Sequence, residues 1–389
     1  MIVKNLRIRE VFATTTEKTI EVELETKKGI VRSSIPIGTS RGKYEVKFLP
    51  VENVIKKFLM IRRRFTGEEI RTQEEVDSLL RMIDKTQDLR EIGGNLALAI
   101  SSVFLKALAF ENDMEVFEFL SKGKTTIPKP ICNVAGGWKE SGKSDVQEYL
   151  FLPVHQKSFL DSVTKIANAY RQTASMLVQK DPNFAFSKNL ESAWVTKLDI
   201  ESTLKILDRV ATENLLKIGL DFAASQLWNG NEYVYSNSGL KLSRTEQISF
   251  VEDLTKRYPI SYVEDPFHED DFVSFSTLTH RIEPRIVCGD DLYATNLERL
   301  KLGIRNKASN GIVIKPSQVG TISDTIKVVN EAKKNKMITI MSHRSGETED
   351  TLICHLAVGL GCEYVKFGIS GERTVKINEM LRIEEKLKK

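Results

Sequence analysis

The sequence predicts an α/β fold, with a (β/α)8-like barrel or a doubly wound sheet over residues 127–389 preceded by a smaller α+β domain over residues 1–126. Three observations carry this reading. The chain has 389 residues, too many for one ordinary domain and enough for a barrel of roughly 200–250 residues beside a second unit. Its second part alternates short apolar strands with amphipathic helices, and its first part does not.

Residues 1 to about 30 alternate apolar and polar side chains on either side of Thr15-Thr16-Glu17-Lys18, the pattern of an antiparallel hairpin. After the glycine-bearing stretch Ile37-Gly38-Thr39-Ser40-Arg41-Gly42, apolar residues recur at helical spacing through about 51–121. The segment Thr125 to Pro130 holds two prolines and little helical pattern, and it marks the boundary.

Beyond it, each apolar strand closes on a polar or charged residue: Asp221, Glu264, Asp290, Lys315, Ser342 and Lys366. These positions are separated by 43, then 26, 25, 27 and 24 residues, about the length of a strand with its return helix. In a parallel barrel the carboxyl ends of the strands converge on one face, so three acids, two lysines and a serine would meet in one pocket.

Composition excludes several classes of function. Lys and Arg number 57 against 53 Asp and Glu, a net charge of +4 spread along the chain, which does not suggest nucleic-acid binding. The one dense basic run, Arg62-Arg63-Arg64, reads as a solvated helix face. Lys4, Arg7 and Arg9 stand where a signal peptide would need an apolar core, and Gly94 to Phe110 carries Asn95, Ser101, Ser102 and Lys106, so no membrane partner is expected and a cytoplasmic location is. Cys132, Cys288, Cys354 and Cys362 lack ligand spacing and read as buried thiols in a reducing compartment.

Asp221, Glu264 and Asp290, gathered in a partly desolvated pocket, need a cation, and hard carboxylate oxygens suit Mg²⁺. Lys315 and Lys366 belong to the same ring, and a lysine beside a metal and a second ammonium gives up its proton more readily, as a general base must. Ser342-His343-Arg344-Ser345 brings a guanidinium fork and two hydroxyls to one strand end, a combination suited to phosphate or carboxylate.

Several motifs now resemble one family. SHRSGETEDT (342–351), LAVGLG (356–361), LRIEEKL (381–387), VEDPFHEDD (263–271), GDDLYATN (289–296) and IKPSQVGT (314–321) resemble the enolases. Weaker matches in the same order include IPIGTSRGKYEV (35–46), IGGNLALAIS (92–101), NVAGG (133–137), VQEYLFLPV (146–154) and IGLDFAAS (218–225). The resemblance implies an enolase-type barrel behind a capping domain. It implies that Asp221, Glu264 and Asp290 hold the tighter Mg²⁺, while Ser40 helps bind a second Mg²⁺ only with substrate, when its loop closes. It assigns the base to Lys315, the acid to Glu191 and an assisting carboxylate to Glu148. Substrate contacts fall to Ser342, His343, Arg344, Ser345 and Lys366, and the substrate is a phosphorylated acid, 2-phosphoglycerate. The family also implies a homodimer or an octamer of dimers.

Three departures stand out. Lys139 occupies a loop position where the family carries histidine, and is itself a candidate substrate contact. Ser192 and Ala193 replace expected glycines beside Glu191, which narrows the freedom of that loop. The segment FGISGER after Lys366 is about two residues short. Three readings follow: an active phosphoglycerate dehydratase, a paralogue that dehydrates another acid, or a non-catalytic binding or structural protein. Retention of Lys315 and Glu191 argues against the last.

Overall fold

The computed structural model describes residues 1–39, 42–121, 123, 125–137 and 144–388. Its amino-terminal part is a three-stranded antiparallel meander, β1 (Asn5–Phe12), β2 (Lys18–Glu25) and β3 (Ile30–Ser34). The alternation read from the sequence sets the register, which runs from Asn5 opposite Glu25 to Phe12 opposite Lys18. Thr16 closes the turn at φ 66°, and Ala13 N–H donates to the Glu17 carbonyl at 2.9 Å. One face of the sheet, with Leu6, Ile20, Val22 and Leu24, buries against the helix Gly94–Glu111. That helix is long and apolar enough to cross a membrane by composition alone, yet most of its residues lie inside the protein, where it serves as the core of this part. Helices Val51–Ile61 and Gln73–Ile83 cover it, the second started by Thr72, whose side chain accepts from Glu75 N–H. Arg62–Arg64 form a short 3₁₀ turn with no buried residue.

The remainder is a closed barrel of eight strands. In chain order the strands are β4 (Lys129–Ala135), β5 (Glu148–Pro153), β6 (Leu216–Asp221), then outside the barrel β7 (Tyr233–Tyr235) and β8 (Leu240–Leu242), then β9 (Ile260–Glu264), β10 (Ile286–Gly289), β11 (Gly311–Ile314), β12 (Ile338–Ser342) and β13 (Tyr364–Gly368). Around the barrel they follow the order β10-β11-β12-β13-β4-β5-β6-β9. A plug of Ile131, Leu150, Leu152, Tyr262, Ile286, Cys288, Val313 and Ile340 fills the interior below the rim. All four cysteines are free and buried, as their spacing suggested.

Three features differ from a uniform β/α repeat. The β7–β8 hairpin sits between β6 and the helix Arg244–Arg257, which accounts for the long first spacing. Strand β5 runs antiparallel to both of its neighbours, so its first residue, Glu148, stands on the rim beside Asp221, the last residue of β6. Lys366 lies inside β13 rather than at its end, because Phe367 and Gly368 continue the pairing with Cys132 and Asn133 of β4.

Polar contacts weld the two parts. Asp350 accepts from Ser33 Oγ at 2.9 Å, Ser34 N at 3.0 Å and Lys106 Nζ at 2.7 Å. Ile37 and Gly346 exchange backbone hydrogen bonds at 2.6 and 2.8 Å, and Asp77 accepts from Ser323 N at 2.8 Å.

Candidate active site

The rim of the barrel and the adjoining loops enclose one acid-rich cleft. Glu148, Glu191, Asp221, Asp290, Lys315, Ser342, His343, Arg344, Ser345 and Lys366 all line it. Glu264 does not. It is fully buried beneath the cleft floor, where both of its oxygens accept from Lys366 Nζ at 2.8 Å. Ser40 and Lys139 lie outside the described residues.

Lys366 gathers carboxylates from three strands. Its Nζ is 2.5 Å from Glu148 Oε2 and 3.0 Å from Asp221 Oδ2, in addition to Glu264. Burial works against its ammonium, but Asp221, Glu148 and Glu264 outweigh that and hold it well above the ordinary lysine range.

The carboxylates outnumber the cations. Asp221, Glu264 and Asp265 bring ligand oxygens within 4.8 Å of one another, whereas Asp290 is not one of that trio. Instead Asp290 binds Lys315 Nζ through one oxygen and accepts from Gln318 Nε2 at 2.9 Å through the other. Asp265 in turn accepts from Asp290 N–H at 3.1 Å and Asp291 N–H at 2.7 Å, so it shapes the turn that carries Asp290. Burial and the neighbouring Asp221 push Glu264 up to about 8, and burial and Asp290 push Asp291 up to about 7. Carboxyls forced toward neutrality by one another are what an added divalent cation would relieve, and hard oxygen donors in this number fit magnesium.

Lys315 follows β11, and its backbone N–H is fixed by Thr295 Oγ1 at 2.9 Å. Burial pulls its ammonium down, but Asp290 more than offsets this and keeps it above the usual lysine value. Lys315 thus shares Asp290 as its counter-charge, with Lys366 acting on the same carboxylate.

Across the barrel, four strands away from β11, stands Glu148 at the start of β5. It is hydrogen-bonded to Glu191. Glu191 comes from the loop after the helix Phe159–Lys180, which Trp194 pins to β4 through its bridge with Ala135. Asn133 Nδ2 donates to Glu191 Oε2 at 3.2 Å, and His343 Nε2 lies 3.5 Å from it. Burial raises both carboxyls. His343 and Arg373 then hold Glu191 well below the ordinary range, while neighbouring acids leave Glu148 well above it despite Lys366. Burial also lowers His343, against the pull of Glu191.

Ser192 adopts φ 61°, the left-handed conformation that glycine would take without strain. Loss of the expected glycine thus leaves the loop in a glycine-like shape, held by Tyr170 Oη donating to the Ser192 carbonyl at 2.6 Å. Arg373, buried, donates to the Arg344 carbonyl at 3.0 Å and the Leu190 carbonyl at 3.1 Å, tying the acid-bearing loop to the loop after β12.

That second loop presents Arg344 and Ser345. Arg344 Nη1 lies 2.8 Å from Glu45 Oε2, and Ser345 Oγ accepts from Thr39 N–H at 3.0 Å. Ser342 Oγ turns to the His343 carbonyl at 3.1 Å. Glu45, Gln147, Asp265, Asp291 and Gln318 also line the cleft and were not singled out from the sequence. Asp265 and Asp291 follow acids that were, so a run of adjacent acids was the available signal for them; Glu45 had only its place in the 35–46 stretch.

Two family models match the chain, one described as the enolase C-terminal TIM barrel domain over residues 124–389 and one as the enolase N-terminal domain over residues 3–120. Among curated proteins, the enolase of Methanosphaera stadtmanae is 37% identical, with 99% of this chain and 97% of that protein aligned. Those of Pyrobaculum aerophilum and Methanothermobacter thermautotrophicus are each 36% identical, covering 98% and 99% of this chain and 96% and 97% of their own lengths.

Proposed function

The chain belongs to the enolase family and is a hydro-lyase of the enolase type, and from that premise we propose how its residues divide the reversible dehydration of 2-phosphoglycerate to phosphoenolpyruvate. One observation supports the division: Lys315 and the Glu148–Glu191 pair face each other across the same cleft from opposite sides of the barrel. A base and an acid so placed can act on two adjacent carbons of one bound molecule.

Lys315 Nζ removes the C2 proton, and the electron pair moves toward the substrate carboxylate. Two Mg²⁺ ions, the first held by Asp221, Glu264 and Asp290 and the second recruited with substrate by Ser40, would neutralise the charge that builds up there. Lys315 becomes a base only when the charge of Asp290 is engaged elsewhere. Glu191 gives its proton to the C3 hydroxyl as the C3–O bond breaks and water leaves, and Glu148 supplies that proton through the hydrogen bond between them. Arg344 and Ser345 hold the phosphate, Lys366 contacts the carboxylate end, and Ser342 and His343 shape the wall between them. Lys139 contributes positive charge from its loop where relatives carry histidine. We place the boundary between the two domains at residues 126/127 and take the assembly to be a homodimer or an octamer of dimers.

Isotope exchange tests the division. Lys315→Ala should lose both C2 hydrogen exchange with solvent and phosphoenolpyruvate formation. Glu191→Gln should keep the exchange while dehydration slows by about a hundredfold or more. Equal loss of both activities in Glu191→Gln, or continued exchange in Lys315→Ala, would mean that the acid and base are wrongly assigned.

A further inference from the structure

The guanidinium read as the phosphate contact is carried by the barrel and donates to Ser317 Oγ there at 3.4 Å, but an acidic partner comes from the other domain. Arg344 Nη1 is 2.8 Å from Glu45 Oε2 and Nη2 is 3.3 Å from Glu45 Oε1, a near-bidentate pair in which both side chains are less than a tenth exposed. Gly38 packs on the same group so closely that a Cβ there would overlap the guanidinium. Resting on the reading of Arg344 as a phosphate contact, we propose that Glu45 is a positioning residue that fixes Arg344 in the orientation in which it receives the phosphate of the substrate.

Two kinds of role are open to a carboxylate in this place. It could be a placeholder that leaves when the anion arrives, or a prop that stays. The backbone around Glu45 decides for the prop. Tyr44 Oη donates to Asp270 at 2.7 Å, and the Arg299 guanidinium lies 3.8 Å from the Tyr44 ring centre. Val46 N–H donates to the Gln318 carbonyl at 3.0 Å, Lys47 N–H to the Asp88 carbonyl at 2.8 Å, and Gly94 N–H to the Lys47 carbonyl at 2.7 Å. Glu45 Oε1 itself accepts from Gly42 N–H at 3.0 Å. The backbone that carries Glu45 is thus fixed on both sides, and its side chain can rotate away only by giving up the Gly42 N–H bond together with the Arg344 pair.

There is also a need for a prop. Arginine has several rotatable bonds, and Asp290 and Asp291 attract the same guanidinium from the metal side of the cleft. Without a fixed counter-charge on the far side, Arg344 would fall toward those acids and away from the phosphate.

The test uses the full chain, with inorganic phosphate as probe and competitive inhibitor. Glu45→Gln keeps the shape and removes the charge. It should raise the phosphate inhibition constant and KM by about tenfold while kcat stays within about threefold and Mg²⁺ affinity measured by calorimetry is unchanged. Arg344→Met should weaken phosphate inhibition at least as much, and adding Glu45→Gln to it should have no further effect. Glu45→Asp should recover part of the lost affinity. Unchanged or tighter phosphate binding in Glu45→Gln, beside a loss in Arg344→Met, would overturn the proposal and leave the phosphate reading standing. Unchanged phosphate inhibition in Arg344→Met would overturn both. A parallel fall of kcat, Mg²⁺ affinity and melting temperature in Glu45→Gln would mark Glu45 as a general structural contact and also overturn it.

Discussion

Replacing Lys366 with methionine should make the stability of the protein depend more strongly on bound metal. The Lys366 ammonium is the common partner of Glu148, Asp221 and Glu264, at 2.5–3.0 Å, and all four side chains are no more than 5% exposed. Methionine has a similar apolar stem and no charge, so the substitution isolates the electrostatics. Removing one member of a buried ion network and leaving the rest costs about 3–5 kcal/mol. Unfolding entropy near 2 cal/mol/K per residue, taken over 389 residues, makes each kcal/mol worth about 1.2 °C, so the melting point in a chelator should drop by about 4–6 °C. Magnesium at about a hundred times its dissociation constant returns about 2.7 kcal/mol to any protein that binds it only when folded. In the variant the competing ammonium is gone, the site holds the cation more tightly, and the return at a fixed Mg²⁺ concentration should exceed that of the parent. Scanning calorimetry of both proteins in EDTA and in excess MgCl₂ gives the four melting points needed. A variant that melts within about 1 °C of the parent in EDTA, or that gains no more from Mg²⁺ than the parent does, would refute the reasoning.

Three further outcomes follow from the same cleft. Burial and Asp221 push Glu264 up to about 8 from the 4.5 of an unfolded glutamate, so the folded state keeps a proton that the unfolded chain releases. Its stabilising effect is complete below about pH 4.5 and is lost as pH rises through 8; chelated protein should therefore lose on the order of 3 kcal/mol between pH 5 and 8 in urea unfolding, and excess Mg²⁺ should flatten that slope. Asp290→Asn should weaken Mg²⁺ binding by about tenfold or more, about 1.4 kcal/mol, while Asp265→Asn should weaken it less because that carboxylate is occupied by the N–H groups of residues 290 and 291; calorimetry that ranks them in reverse would make Asp265 the ligand. Gly38→Ala should raise KM by about tenfold with the melting point nearly unchanged, since the nearest atoms that the added methyl would overlap are those of the Arg344 guanidinium, and a KM equal to that of the parent would show that the side chain yields without cost.

The sequence revealed most where a signal was local. Strand ends at Asp221, Glu264, Asp290, Lys315 and Ser342 were legible because an apolar run stopped at a polar residue, and even spacing implied a repeated unit. The direction of β5 was not legible. All six of its residues are buried, so the segment has no alternation to read, and pairing direction is a tertiary property. Lys366 was placed at a strand end because a charge after Tyr364 and Val365 looks like an ending; its three acidic partners supply the neutralisation that lets the strand continue past it. The third acid of the close trio, Asp265, was overlooked beside Glu264, although the adjacent acids were visible. Glu45 could not have been found in this way. Its partner is 299 positions away, and although Glu45 lies within the 35–46 stretch that resembles the enolases, nothing there points to Arg344.

The reversal of β5 bears on how such a site can be rebuilt. In an ordinary barrel each rim loop ends in a helix that packs on the outer wall, so altering the loop disturbs a packed element. Here β4 ends at Ala135 and the antiparallel β5 begins at Glu148, so both ends of the segment between them are anchored in the hydrogen-bonded wall. Insertions or exchanges between Gly136 and Gln147 would therefore change what faces the substrate while the scaffold stays as it is. This segment, with Lys139 in it, is the natural graft point for anyone wishing to transplant another relative's preferences onto this barrel, or to evolve new ones by varying loop length.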